Sequence, residues 1–297
     1  MQRWPLLFSI AVAECAQAAE HPSSGLADAA SADPAPDAGA SDAGGAATTT
    51  NGVAASSSSY RLGTSTAMIS VLVALVNRAT DSEPANACTT VTQGPCVLTT
   101  CNYPSDASES MTPASVGPIT LAGAEAPVTI APQPGGTYAT FSDTTRLLWT
   151  GGESLTFSAP GGDLPGFEQA LVAPSTVTVT QPALVQGRTT ASRGSDLAVA
   201  WTGTSAGALM LELSAPQTAT EPLVDAKCTF DAAADRGVIP AALWSAIPVA
   251  SLVVTVSTQT TASQVVAGMP FSALAFTTAL APDGTQLQGW VDLHGWP

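Results

Sequence analysis

The segment Gly203-Thr204-Ser205-Ala206-Gly207 is the one stretch whose residue types and spacing could build a nucleophile. A serine between two glycines can sit on a turn too tight for bulkier neighbours, which presents its hydroxyl for attack on an ester carbonyl. Such a serine also needs a base, and past the leader and tether the sole histidine is His294. A second set of chemical residues closes the chain: Trp290, Asp292, His294 and Trp296. On a strand these four share one face, while Val291 and Leu293 share the other and turn to the core. Two indoles flanking an acid and an imidazole make a platform on which a sugar ring could stack while its hydroxyls meet the polar groups.

The cysteines are Cys15, Cys88, Cys96, Cys101 and Cys228. Cys15 falls in the leader, and the four that remain suit two disulfides in an exported chain. Four cysteines allow three connectivities, of which the local segment favours one: a turn centred between Gly94 and Pro95 would set Cys88 opposite Cys101 and leave Cys96 for Cys228. Zinc is not expected, because the cysteine spacings are long and irregular and the only histidines are His21 and His294. There is no calcium-loop motif either, so no metal or other cofactor is implied.

Gly203-Thr-Ser-Ala-Gly-Ala-Leu209 resembles the nucleophile segment of patatin-like lipid acyl hydrolases. That resemblance implies Ser205 as nucleophile with an aspartate from an Asp-Gly pair, for which Asp283-Gly284 is the candidate. The sequence departs from the family in three ways. The Gly-rich oxyanion segment is missing upstream, where the nearest approach is Ser192-Arg193-Gly194. Residues after Ser205 alternate as a strand where the hydrolase needs a helix. No β-α-β alternation supplies a parallel sheet to carry the turn. The reading taken is therefore a turn, with the hydrolase as its alternative.

The elements around these residues are strands. Val177 and Val179 alternate with threonines, Leu197, Val199 and Trp201 with alanines, and Leu209, Leu211 and Leu213 with Met210 and Glu212. Residues 67–76 form the most apolar window past the leader, with Ile69, Val71, Val73 and Leu75 on one strand face, which predicts a buried central strand, with a core helix as the alternative. Short apolar runs around Ile119, Ile130, Phe141, Trp149 and Phe157 are parted by Gly and Pro turns. One short helix is expected near 240–247, between Pro240 and Pro248, with Leu243, Trp244 and Ile247 on its apolar side. Residues 147–160 are echoed by 199–216, each running strand, Trp-Thr-Gly turn, strand and Ser-Ala-Pro, as tandem related β-units would.

The fold class expected is all-β, an antiparallel sandwich arranged as two packed Ig-like units over 60–170 and 171–297. Residues 1–18 read as a signal peptide: an arginine, an apolar run too short to span a bilayer, and Ala16-Gln17-Ala18 as a cleavage site. Cys15 faintly resembles a lipobox cysteine, which would be acylated, although Glu14 precedes it where a small residue belongs. Residues 19–59 are rich in Ala, Ser, Asp and Gly and read as a disordered tether.

Charge narrows the function classes. The 297 residues carry a net charge of -15, with one lysine, Lys227, and scattered arginines, so nothing could displace counterions from nucleic acid. A surface of hydroxyls with only 10% charged residues suits β-structure outside the cell. Across most of its length past the leader, the chain resembles uncharacterised secreted or lipid-anchored β-rich proteins of GC-rich soil bacteria. The segments carrying this are Gly94-Pro95-Cys96, Cys101, DLAVAWTG at 196–203 and CTFDAAADRGVIPAALWSAIP at 228–248. That resemblance implies export and no activity. The expected role is display or binding at the envelope, with polysaccharide or another envelope component as partner, and a purely structural envelope part as the further alternative.

Overall fold

The computed structural model describes residues 51–78, 87–102, 112–215 and 223–295. The fold is all-β, as expected. The strands are β1 (Asn51–Leu62), β2 (Ser65–Leu75), β3 (Asn77–Arg78), β4 (Ala87–Gln93), β5 (Cys96–Asn102), β6 (Thr112–Pro113), β7 (Ile119–Ala122), β8 (Val128–Ile130), β9 (Phe141–Asp143) and β10 (Ser154–Gly161). They continue as β11 (Pro165–Val172), β12 (Thr178–Gln181), β13 (Arg188–Ser192), β14 (Leu197–Thr202), β15 (Ala208–Ser214), β16 (Leu223–Asp231), β17 (Arg236–Ile239), β18 (Ser251–Val266), β19 (Met269–Thr278) and β20 (Gln288–His294). The helix α1 (Ala241–Ala246) follows Pro240, where it was expected.

An 11-stranded sheet forms the spine, in the order β4-β5-β16-β15-β18-β19-β1-β2-β9, with β20 beside the start of β18 and β13 beside β20. β18 makes the sheet continuous: Ser251–Thr255 pair with β20 and Ser257–Val266 pair with β19 along the same edge. Two pairs within it are parallel, β1 with β19 and β13 with β20. One end of the spine is covered by the sheet β11-β10-β7-β8 and the other by β12-β14-β17 with α1. Each end encloses its own core. Phe157, Phe271, Leu72 and Leu148 belong to the first, and Trp244, Trp201, Leu211 and Leu213 to the second.

The two cores do not follow the expected division at residue 170. The small sheets part close to it, since β11 runs two residues past it to Val172 and β12 starts at Thr178. The spine does not: Cys96 and Leu98 of β5 lie in the C-terminal core, and Phe271, Ala273 and Ala275 of β19 lie in the N-terminal one.

Residues 51–59 of the expected tether instead form most of β1, between β19 and β2. Ser56, Ser57 and Ser58 are buried, and Ser57 meets backbone in the layer above that needs partners. Ser57 Oγ donates to the Trp149 carbonyl at 2.9 Å and accepts from the amides of Leu148 and Trp149 at 3.0 and 3.2 Å. Ser70 of β2 does the same, donating to the Arg146 carbonyl and accepting from the Leu148 amide. This fixes which face of β2 turns inward. Ser70 and Leu72 are fully buried, while Val71 and Val73, expected to face the core, lie half-buried on the opposite side, where Val73 packs on Ala54 and Leu274.

The two echoed tryptophans each anchor a different core, Trp149 the first and Trp201 the second. Their turns meet at one place. An added Cβ on Gly151 would strike Ser175, and Ser175 is also bonded to Ser205.

Candidate functional site

Ser205 lies on a connection between layers. β14 belongs to the three-stranded sheet and β15 to the spine, so residues 203–207 carry the chain across the sandwich. Trp201, just before this crossing, is buried, and its Nε1 donates to the Ala232 carbonyl at 2.9 Å. Ser205 itself is 9% exposed. Its Oγ accepts the Ser175 amide at 2.9 Å and donates to the Ala206 carbonyl at 3.1 Å. The strand β15 begins three residues later and pairs along its length with β16 and β18.

The glycines of the motif have local explanations. Gly203 (φ 96°) and Gly207 (φ 78°) adopt left-handed backbone, and a Cβ on Gly207 would collide with the Gln259 carbonyl of β18. A tight approach between strand and turn thus produces a Gly-x-Ser-x-Gly spacing.

Asp283 sits in the turn between β19 and β20. Its carboxylate accepts the Thr285 amide at 3.0 Å and the Thr285 hydroxyl at 2.7 Å, and these bonds hold its pKa below the ordinary range. Among the described residues no hydrogen bond joins Asp283 to Ser205, so the two residues implied by the acyl-hydrolase resemblance serve separate turns.

β20 has the alternation read from sequence. Val291 and Leu293 are buried, whereas Trp290 and Asp292 are half-buried and His294 is exposed on the outward side. Trp296 and Cys15 lie outside the described residues. The outward face includes a residue that sequence reasoning missed. Arg188 of β13 is the register partner of Trp290, and its guanidinium centre is 5.7 Å from the indole centroid. The same guanidinium grips Asp292 with two bonds, Nε to Oδ2 at 2.9 Å and Nη2 to Oδ1 at 2.6 Å. Ser251 of β18, opposite Asp292, adds a third at 3.1 Å.

The Arg188 side chain remains 53% exposed and that of Asp292 29%. The hydrogen bond from Arg188 is the main reason the Asp292 carboxyl stays below its ordinary pKa, with Ser251 assisting. Chemically this is an open patch: an indole, a cation over its ring, a carboxylate and hydroxyls. Residues 188–192 do alternate, with Ala191 buried between outward Thr190 and Ser192, but nothing local announces a parallel partner a hundred residues onward.

No protein-family model, curated protein or solved structure matches the chain.

Proposed function

We propose that the chain is an exported or envelope-attached β-sandwich module without chemistry of its own, which binds polysaccharide or another envelope component through the outward face of β20 and β13. The observation that carries this reading is the ordered set of Trp290, Arg188 and Asp292, which share an exposed sheet face with each polar group held by its neighbour. A sugar offers an apolar ring face and a rim of hydroxyls. An indole beside a guanidinium and a carboxylate that hold one another matches both features without a pocket.

Export is supported by two disulfides, which persist in oxidising compartments. No helix among the described residues is long and apolar enough to cross a membrane. The apolar run and cleavage motif of residues 1–18 supply the export signal in this reading, and acylated Cys15 would supply a tether.

Glycan-array binding and retention on immobilised polysaccharide test the proposal. Binding that falls at least tenfold in Trp290→Ala and in Arg188→Ala is expected. A wild-type chain that binds no glycan, or retention unchanged by both substitutions, removes the reading and leaves a structural role in the envelope.

A further inference from the structure

Three strands at one edge of the spine are already tied in succession. The disulfide Cys88–Cys101 joins β4 to β5 and Cys96–Cys228 joins β5 to β16, each between register partners. The next register pair, one residue from Cys228, is Lys227 of β16 with Glu212 of β15. Lys227 is the only lysine in the chain. Its side chain is 11% exposed and that of Glu212 9%, a degree of burial that lysine rarely reaches. Lys227 Nζ stands 3.9 Å from Glu212 Oε1. An ammonium and a carboxylate held only by their hydrogen bond close to about 2.8 Å.

A third group completes the cluster. Asp225 precedes Lys227 by two residues on the same strand face and hydrogen-bonds Glu212 through its side chain. Its Oδ1 is buried without a hydrogen-bond partner among the described residues. Burial pushes the Asp225 carboxyl up, against the opposing pull of Lys227. The residues paired with the cluster on the flanking strands are neutral: Val97 of β5 opposite Lys227, and Thr255 of β18 opposite Glu212. One amine and two carboxyls therefore face one another with little water and no competing charge.

We propose that Lys227 and Glu212 are a site of intramolecular amide formation, a self-made cross-link from β16 to β15 that extends the series begun by the disulfides. The Lys227 ammonium first yields a proton to the carboxyl pair, which frees the nitrogen lone pair. That nitrogen attacks Glu212 Cδ while Asp225 protonates the carbonyl oxygen. Collapse breaks one C–O bond, and the oxygen departs as water with the two protons that nitrogen has lost. Asp225 relays both protons and ends in the state in which it began. One C–N bond forms, one water is released, and nothing is oxidised or reduced. Holding the reactants side by side replaces a bimolecular encounter, and the amide removes a buried ion pair whose desolvation is unfavourable.

Intact-mass spectrometry of the full chain, reduced and denatured, reads the outcome directly. The wild-type chain is expected to be lighter than its sequence by one water, relative to Lys227→Arg and Glu212→Ala chains expressed and processed in the same way. Fragmentation is expected to return a branched peptide that joins residues 208–214 to residues 223–231. Asp225→Ala, with its β-sheet circular dichroism retained, is expected to lose the mass deficit. A wild-type chain of full mass overturns the proposal, as does a deficit that survives in Lys227→Arg. A deficit that persists undiminished in Asp225→Ala overturns the proton-relay step.

Discussion

Ser175 and Ser205 are tied across the middle of the molecule, amide to hydroxyl, at 2.9 Å. The carbonyl of the same Ser175 accepts the Thr258 hydroxyl of β18 at 2.6 Å. The link between the two small sheets is therefore clamped from both sides, and Ser205 is one jaw. This use of the hydroxyl predicts what its removal does. Ser205→Ala leaves the Ser175 amide without its acceptor, a loss of about 1–3 kcal/mol in stability measured by urea unfolding. A fluorophosphonate probe is expected to label neither protein. Labelling of the wild type that vanishes in Ser205→Ala would make the chain a serine hydrolase.

Gly207→Ala is expected to harm the fold more than Ser205→Ala does. The new methyl meets the Gln259 carbonyl, and the backbone there is left-handed, so both strain and displacement of β18 oppose it. A larger drop in the urea midpoint than for Ser205→Ala is the expected result. An equal or smaller drop would mean that the spacing of the motif is not set by packing.

The disulfides differ in the length of chain they close. Cys96–Cys228 spans 132 residues and Cys88–Cys101 spans 13. Loop-closure entropy assigns about 5 kcal/mol to the first and about 3 kcal/mol to the second. A double alanine variant of Cys96 and Cys228 should therefore unfold at lower urea than one of Cys88 and Cys101, and the reverse order would refute the entropic account.

What could be read from sequence was whatever repeats locally. The Gly94-Pro95 turn fixes the register of β4 and β5 by itself, and the alternation of Trp290 to His294 needs only its own strand. β1 was illegible because Ser56, Ser57 and Ser58 look like linker until the loop at 146–149 supplies the carbonyl and amides that Ser57 bonds. Its partner β19 lies more than two hundred residues away in the chain. The facing of β2 failed for the same reason: hydropathy favours Val71 and Val73 inward, whereas the unsatisfied backbone of Arg146 and Leu148 requires Ser70. Arg188 and the Lys227–Glu212 pair depend on which strands become neighbours, and no single segment encodes that.

The pair Arg188 and Asp292 makes the proposed binding face pH-dependent in a defined direction. A carboxyl held below its ordinary pKa of 3.8 contributes stability that is complete above that value and is lost as pH falls through the lower folded-state pKa. Ligand binding that relies on the ordered face should therefore persist through mildly acidic solution and fail only in strong acid. In Arg188→Ala the main cause of the depression is gone, so the Asp292 carboxyl resonance should titrate at higher pH by NMR. An unchanged titration would show that Ser251 and the sheet, rather than Arg188, set its state.

Arg193 supports the helix that closes the second core. It is 8% exposed, and its Nη1 donates to the carbonyls of Trp244 and Ile247 at 2.6 and 2.5 Å while Nη2 reaches that of Val249 at 2.7 Å. Those carbonyls lie at and beyond the C-terminal end of α1, where a helix has no internal donors of its own. A cation there also suits the helix dipole. Arg193→Ala is expected to cost about 3 kcal/mol or more, since several charge-assisted bonds are lost and buried carbonyls are left bare. Lysine cannot present a planar fork, so Arg193→Lys should recover only part of the loss. Trp244 is fully buried beside this site, and its fluorescence should shift to the red as α1 loosens. Full recovery by lysine would mean that charge alone, without the geometry of the guanidinium, holds the helix in place.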